Sequence, residues 1–274
     1  AEDPDCQRDL AIALAAAGQL KEARSIAETI ENISGESADV CMVKAEIEHA
    51  AGNDDEALAL YDKMFALTTD SAVLSRAYLL AAQICEALGD EYLEREISIL
   101  ESAVEALGSQ GNLLHMDALA SAYSRLGTAD GDSSYFTKAL VLYEKLYDRG
   151  QTNFTTLLNI GTLQMKLKDY KDAETTLLSL CRGYQNDYRG YMYLALCYLE
   201  YEEGLEGTAR NYDFAVATYL YAEERYGFST VSGQGDMEML SLRNYMKDVE
   251  NVYQIPVSTM KAPETFDYDT HYLQ

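Results

Sequence analysis

Cysteine and histidine are too few and too scattered in this sequence to suggest a disulfide framework or a metal site. The five cysteines are an odd number without a Cys-x-x-Cys pair, and the three histidines, His49, His115 and His271, lie far apart along the chain. Most of the cysteines are expected to be small core residues. We therefore predict no bound metal and no cofactor.

Long hydrophobic segments are also missing. No apolar run approaches the roughly 18 residues that span a bilayer, and the chain does not open with a basic and then apolar signal segment. We expect no direct membrane contact from this segment. Because the first residue is Ala rather than Met, removal of an export signal or anchor stays open. The cytoplasm is the favoured compartment, and an extracytoplasmic domain of an anchored parent protein is the alternative.

Basic residues are scarce relative to acidic ones, 21 against 46, which gives a formal net charge of −25. A surface of this charge repels phosphate backbones, so nucleic acid is excluded as the expected partner. The imbalance is concentrated in residues 1–137, which contain 26 of the acidic and 8 of the basic side chains. Basic partners are expected to be attracted there, although a solvated acidic surface that maintains solubility explains the same charge.

An internal repeat is the main pattern in the sequence. The segment from Gly161 to Ala173 contains a small residue, then Tyr170, then a second small residue, and Leu177 and Leu180 follow at helical spacing. This segment resembles the core of the tetratricopeptide repeat (TPR), a helical hairpin. The resemblance extends over residues 5–226, but the family's Trp is absent everywhere and its closing Pro is missing.

The same register fits six times. Its first small residues are separated by 34, 37, 38, 41 and 34 residues and are Ala11, Ala45, Ala82, Ala120, Gly161 and Ala195. The second anchors, where two helices are expected to cross closely, are Ala23, Ala57, Glu96, Ala139, Ala173 and Ala215. Glu96 fits this position poorly. In four repeats a glycine is predicted to end the first helix in a left-handed cap, at Gly18, Gly52, Gly89 and Gly127.

The resemblance implies an all-α fold, a right-handed α-solenoid (superhelix) of about six TPR-like hairpins. One hairpin cannot bury its apolar face alone, so neighbours must stack, and six are enough for a continuous core. A further helix from about Asp236 to Tyr253, with apolar residues at helical spacing that include Val252, is predicted to cap the array. We assign residues 1–255 to the repeat domain and 256–274 to an extended tail. The tail is expected to dock on this or a neighbouring array through Phe266, Tyr268 and Tyr272.

Catalytic signatures are weak throughout. Gly233-Gln-Gly235 lacks the third glycine and the phosphate-binding Lys of a nucleotide loop, and it is interpreted as an ordinary loop. Asp130-Gly-Asp132 resembles the start of a calcium loop, but Tyr135 and Val141 replace the required glycine and acid. Abundant carboxylates on solvated helices do not define an acid–base pair. The chain is predicted not to be an enzyme.

Family resemblance places partner binding on the concave groove formed by the first helix of each hairpin. We locate the groove side chains by counting from the first small residue of each repeat. They are of mixed type and partly charged in the first four repeats and mainly apolar in the last two. The partner-binding residues predicted from this count are Met42, Leu79, Leu158, Thr162, Met165, Met192, Leu196 and Leu199. Cover of the apolar groove by the C-terminal helix or tail is the alternative.

These observations predict a non-catalytic scaffold or adaptor that binds a peptide or helix of a protein partner, with a basic partner as one option. The alternative is the repeat region of a larger bacterial signalling protein, such as a membrane serine/threonine kinase, whose catalytic part lies outside this chain. The sequence leaves the partner and the oligomeric state undetermined.

Overall fold

The computed structural model describes residues 4–108, 113–206, 210–228 and 236–273. In these ranges the chain forms thirteen α-helices and no strand. The all-α helical repeat predicted from the sequence is confirmed. Contacts divide the chain into two compact units, Ala1–Leu126 and Gly127–Gln274, with the boundary inside the seventh helix.

Unit 1 consists of three complete hairpins and the start of a fourth. Its helices are α1 (Pro4–Ala16), α2 (Leu20–Ser34), α3 (Ala38–Ala50), α4 (Asp54–Leu67), α5 (Ser71–Leu88), α6 (Leu93–Leu107) and the first part of α7 (Leu113–Asp130). Each of the first three hairpins pairs consecutive helices, α1 with α2, α3 with α4 and α5 with α6. A single turn of 3-10 helix, Asp90–Tyr92, precedes α6.

Unit 2 contains the remaining helices and the tail. Its helices are α8 (Ser133–Asp148), α9 (Phe154–Lys166), α10 (Tyr170–Gly183), α11 (Tyr188–Gly204), α12 (Asp213–Phe228) and α13 (Asp236–Tyr253), followed by a 3-10 turn at Val257–Thr259. The bounds of α13 coincide with the predicted capping helix. The predicted loop at Gly233–Gly235 lies outside the described residues. So do residues 207–209, which belong to the turn between α11 and α12.

The predicted anchor positions form the contacts between paired helices. All six first anchors and all six second anchors are buried. A methyl group added at Gly161 would lie 2.8 Å from Leu177 Cδ2, so α9 and α10 approach too closely for a side chain there. The small residue is therefore a steric requirement of this hairpin.

Three of the four predicted glycine caps are confirmed, and the fourth is wrong. Gly18, Gly52 and Gly89 have positive φ angles of 77°, 80° and 101°. Gly127 instead lies within α7, which continues to Asp130, and Gly131 with φ of 70° takes the left-handed conformation. Gly127 allows close packing, because a methyl group on it would be 2.8 Å from Cε1 of Phe136. The residues after Gly127 thus continue α7 to Asp130 before the turn to α8 begins.

Val252 is a second correction. The predicted apolar face of α13 is buried at Met239, Leu242, Met246 and Val249, but Val252 is 68% exposed. Its helix ends one residue later, at Tyr253, so no further turn is available to cover it.

Glu96 is buried at an anchor position where the other five hairpins have alanine. Its Oε1 atom accepts a hydrogen bond of 2.5 Å from Nη2 of Arg125 on α7. Burial raises the pKa of Glu96, while the hydrogen bond from Arg125 acts in the opposite direction. An arginine from the next helix thus compensates for the acid in the hairpin that fits the repeat least well.

Substitution of Gly161 tests the helix crossing. We expect Gly161→Val to lower the free energy of unfolding by about 1–3 kcal/mol, because the added carbons overlap Leu177. Gly183→Ala is the control, since no atom lies within 4 Å of the added methyl group. Urea denaturation followed by circular dichroism measures both. Equal stability of the two variants would contradict a steric role for Gly161.

Replacement of Arg125, the partner of Glu96, should lower the free energy of unfolding more at neutral than at acidic pH. Arg125→Met leaves a buried carboxylate without its cation, and we expect a loss of about 3 kcal/mol at pH 7. The loss should shrink as pH falls, because protonation of Glu96 in the folded state relieves the unpaired charge. The double variant Glu96→Met, Arg125→Met should recover most of the stability; if it is as unstable as Arg125→Met, the ion pair is not the cause.

Candidate functional site

The predicted groove residues are not equally accessible. Met42 in unit 1 and Met165, Met192 and Leu199 in unit 2 are buried, with Met192 fully enclosed. Leu79, Leu158, Thr162 and Leu196 are half-buried. In unit 2 the buried members belong to one core cluster that also includes residues of α12, α13 and the tail. These side chains therefore pack inside the core, and the half-buried ones are partly open to solvent.

The half-buried predicted residues of unit 2 lie on two helices that contact each other. Leu196 lies on α11, and Leu158 and Thr162 lie on α9. Leu158 and Leu196 both pack against the core cluster. The part of the predicted set that is open to solvent in unit 2 is therefore small and lies on α9 and α11.

A cavity of about 580 Å³ lies at the C-terminal end of α11. Its walls combine aromatic and acidic side chains, and its lining residues are Lys168, Tyr170, Glu200, Tyr201, Glu203, Gly204, Leu205 and Tyr245. Tyr245 donates a hydrogen bond of 3.2 Å to Glu203 Oε2, and the rings of Tyr170 and Tyr201 pack edge to face. Desolvation raises the pKa of Glu200, and the nearby Lys166 lowers it by a smaller amount. We call this the acidic cavity.

The tail occupies a different surface of unit 2. Phe266 packs between Tyr191 and Tyr221, with ring centroids 5.0 and 5.1 Å apart. Tyr272 stacks on Phe214 at 4.3 Å and meets the edge of Tyr198 at 5.7 Å. We call this surface the tail-binding face; it consists of Glu174 and Arg182 on α10, Tyr191, Tyr198 and Glu202 on α11, and Phe214, Tyr221 and Arg225 on α12. The predicted docking of the tail through Phe266, Tyr268 and Tyr272 is confirmed for this chain's own repeats.

Glu174 holds the end of the tail. Its carboxylate is fully buried and accepts hydrogen bonds from the backbone amides of Tyr272 (2.6 Å) and Leu273 (3.1 Å) and from the hydroxyl of Tyr198 (2.9 Å). His271 Nδ1 lies 3.7 Å from the same carboxylate. Because one carboxylate binds two consecutive backbone amides at a bend of the chain, this contact recognises the main chain independently of the side chains.

Polar contacts also fix the middle of the tail. Nη2 of Arg182 donates to the carbonyl of Tyr268 at 2.9 Å and is 2.5 Å from Asp269 Oδ1. The hydroxyls of Tyr191 and Tyr268 are 2.7 Å apart. The hydroxyl of Tyr272 donates to Glu202. Leu273 completes the docking in the core, where it is 3% exposed.

The predicted groove side chains and the main tail contacts lie on different sides of α11, and Tyr201 lies between them, because its ring lines the acidic cavity and is 6.5 Å from the ring of Tyr272. Successive residues of an α-helix are rotated by about 100°, so the tail-contacting Tyr191 and Tyr198 point about a third of a turn away from Met192, Leu196 and Leu199. The tail therefore does not cover the predicted groove side chains of α11. Their burial comes from packing within the helical core, where α13 contacts α11.

Sequence reasoning missed Glu174, Leu273 and Glu200. Glu174 follows the anchor Ala173 and shares a helix face with Leu178 and Cys181, both buried. A carboxylate on an otherwise apolar face was the available signal, because such a group must find donors when it is buried.

Nucleophilic and metal chemistry has little support in the part of the chain that the structure covers. Burial raises the pKa of Cys85 to about 11 and also raises the pKa values of Cys181 and Cys197, which disfavours their thiolates. Across the described ranges, no three His, Cys, Asp or Glu side chains are placed to hold a metal ion. None of the described helices combines the length and apolar content needed to cross a bilayer.

Glu174 should be the most sensitive position for tail docking. We expect Glu174→Gln to lower the free energy of unfolding by about 1–3 kcal/mol, because an amide replaces a charged acceptor of buried donors. The same variant should increase hydrogen exchange at the amides of Tyr272 and Leu273. Asp172→Asn, exposed on the same helix, is the matched control. Unchanged exchange at both tail amides in Glu174→Gln would contradict the assigned role.

Comparison with known proteins identifies the fold. No protein-family model and no curated protein matches the sequence. Similar solved structures include the C-terminal part of a TPR repeat-containing protein from Cytophaga hutchinsonii, with 16% identity and a TM-score of 0.64 over 91% of this chain and 90% of that one.

Two further structures agree with this assignment. YrrB, described as a TPR protein with an unusual peptide-binding site, has 16% identity and a TM-score of 0.57 over 80% of this chain and 97% of its own. PilF of Pseudomonas aeruginosa has 16% identity and a TM-score of 0.53 over 88% of this chain and 99% of its own. The chain therefore has the fold of the tetratricopeptide repeat proteins.

Proposed function

We propose that this chain is a non-catalytic protein-interaction module that binds a peptide or helix of a partner protein on the α9 and α11 surface. The observation that carries this proposal is the combination, on α11, of half-buried Leu196 with the acidic cavity one turn later at Glu200. Leu158 and Thr162 on α9 extend the apolar part. The peptide-binding site named for YrrB is consistent with such a use of this fold.

The acidic cavity supports a basic side chain as the polar anchor of the partner. Carboxylates of Glu200 and Glu203 can pair with a Lys or Arg, and the faces of Tyr170, Tyr201 and Tyr245 can provide cation–π contacts. Glu200 is exposed, so its carboxylate is open to a cation from a partner. The excess of acid in residues 1–137 would increase the rate of encounter with a basic partner.

The remaining predicted residues have a supporting role in this proposal. Met165, Met192 and Leu199 hold α9 and α11 in place from within the core. Leu79 on α5 and Met42 on α3 belong to unit 1, where only Leu79 is accessible enough to be a separate contact.

Photo-crosslinking at Thr162 tests the surface directly. With a photoreactive amino acid at this position, we expect a partner from the source organism's lysate to be crosslinked by the otherwise native chain. Capture should fall when Leu196→Asp removes the apolar contact or Glu200→Lys reverses the charge of the cavity. A basic partner should also be lost at increased salt, because screening weakens surface charge pairs.

Val141→Asp is the matched control, since Val141 is an apolar residue already 42% exposed on α8. It should leave crosslinking unchanged. Equal crosslinking of the same proteins by all four chains would contradict the proposed surface, as would loss in the control alone.

A further inference from the structure

The tail-binding face is preorganised by contacts within the repeats. The hydroxyl of Tyr198 donates a hydrogen bond of 2.9 Å to Glu174, and Glu202 accepts a hydrogen bond of 2.6 Å from the backbone amide of Asn211. Arg225 donates to the carbonyl of Gln185 at 2.7 Å, and its guanidinium lies 3.4 Å from the centroid of the Tyr221 ring. Each of these groups has a partner that does not belong to the tail. The face would therefore keep its geometry if the tail left it.

The tail is held in the manner of a short extended peptide. Its contacts come from Phe266, Tyr268, Tyr272 and Leu273, from the carboxylate of Asp269 to Arg182, and from two backbone amides. The side chains at 267, 269, 270 and 271 are nevertheless largely open to solvent. The residues just before it, Glu264 and Thr265, are exposed as well. Such docking depends on few anchors.

A cavity of about 450 Å³ adjoins the part of the face that holds Phe266. It is lined by Tyr221, which packs against Phe266, by Asn186, Glu224, Arg225 and Phe228, and by Glu264 of the tail. Phe228 is 83% exposed. The face is thus larger than the surface that the tail covers. The additional part offers an aromatic ring, whereas Arg225 already has an acidic partner in Glu224, 3.9 Å away.

We propose that the tail-binding face is a peptide-binding site for an extended acidic and aromatic segment of another protein, and that the tail is its tethered competitor. The anchors of the tail define the chemistry of the ligand: aromatic side chains for the rings of α11 and α12, an acid for Arg182, and free backbone amides for Glu174. A segment that continues into the cavity would add an apolar or aromatic group for Phe228.

Another protein fits this site better than a second copy of the chain. The tail of a second copy has the same sequence as the tail that is already docked. It would therefore leave the cavity beside Phe266 as empty as the docked tail does. The site is built on Tyr191, Tyr198 and Glu202 of α11, whereas the proposed function depends on Leu196 and Glu200. The two sites share only the ring of Tyr201 among the residues named for them, and they are tested by different substitutions.

A labelled peptide with the sequence of residues 262–274 tests the site in the full-length chain. Tyr272→Ala with Leu273→Ala weakens the tethered tail and leaves the face unchanged. Fluorescence anisotropy should show binding to this double variant at least about tenfold tighter than to the native chain, because the tethered tail competes at an effective concentration of the order of millimolar. Adding Glu174→Gln to the double variant should weaken binding again by at least about fivefold.

Equal peptide affinity for the native chain and the double variant, or no binding to a double variant with a native circular dichroism spectrum, would overturn the proposal. If the double variant does not fold, the native chain with a protease site introduced at residues 264–265 serves instead. After cleavage, the labelled peptide should exchange with the cleaved tail, and failure to exchange would count against the site.

The cavity and the source of the ligand are tested separately. A displayed library with the tail sequence from Glu264 onward, preceded by four random residues, should yield aromatic or other apolar residues at the random positions when it is selected on the double variant. Absence of such enrichment would overturn the assigned ligand chemistry. Sedimentation showing that the native chain dimerises through its tail would assign the site to a second copy instead.

Discussion

Close approach between the two helices of each hairpin is the constraint on which the structure depends. Gly161 lies so close to Leu177 that an added methyl group would be 2.8 Å from it, and buried alanines occupy the corresponding position in the other five hairpins. Small residues at these positions let the paired helices approach, and hairpins of this kind are stabilised by stacking on their neighbours. The hairpin with Glu96 at its second anchor shows the cost of departing from this rule, because a buried carboxylate then requires Arg125.

The hairpins could be predicted because small residues recur at spacings that only a helical repeat explains. Ala11 and Ala195 are far apart in the chain but have the same local role, and both are buried. The aromatic residues of the tail could also be predicted, since Phe266 and Tyr272 in a segment without helical period need an apolar surface. These conclusions rest on local pattern, which is fully present in one sequence.

Accessibility could not be predicted in the same way. Counting along α11 places Met192 and Leu199 on the side expected to face a partner, but that count contains no information about α13, which contacts α11 and contributes to the same core. Glu174 was missed for a related reason, since its donors come from residues almost a hundred positions later. Gly127 was misassigned because glycine serves equally as a left-handed cap and as a close-packing residue, and only the position of Phe136 distinguishes the two.

Tyrosine connects the acidic composition to the packing of unit 2. Of the 22 tyrosines, 17 lie in residues 138–274, and several of their hydroxyls donate to glutamates, as Tyr198 does to Glu174 and Tyr219 to Glu223. Tyr61 and Glu46 form the same pair in unit 1.

A buried tyrosine needs an acceptor for its hydroxyl, and a buried carboxylate needs a donor, so Tyr198 and Glu174 satisfy each other without a Lys or Arg, whereas Glu223 also accepts from Arg243. Part of the acidic excess is therefore structural, and the net charge alone overstates the attraction of the chain for basic partners. The carboxylates that remain open to a cation are those without such a structural commitment, among which Glu200 is placed beside aromatic rings in a cavity. The tail-binding face differs in kind, because its carboxylates already hold hydroxyls and backbone amides while Arg182 and Arg225 provide its positive charge.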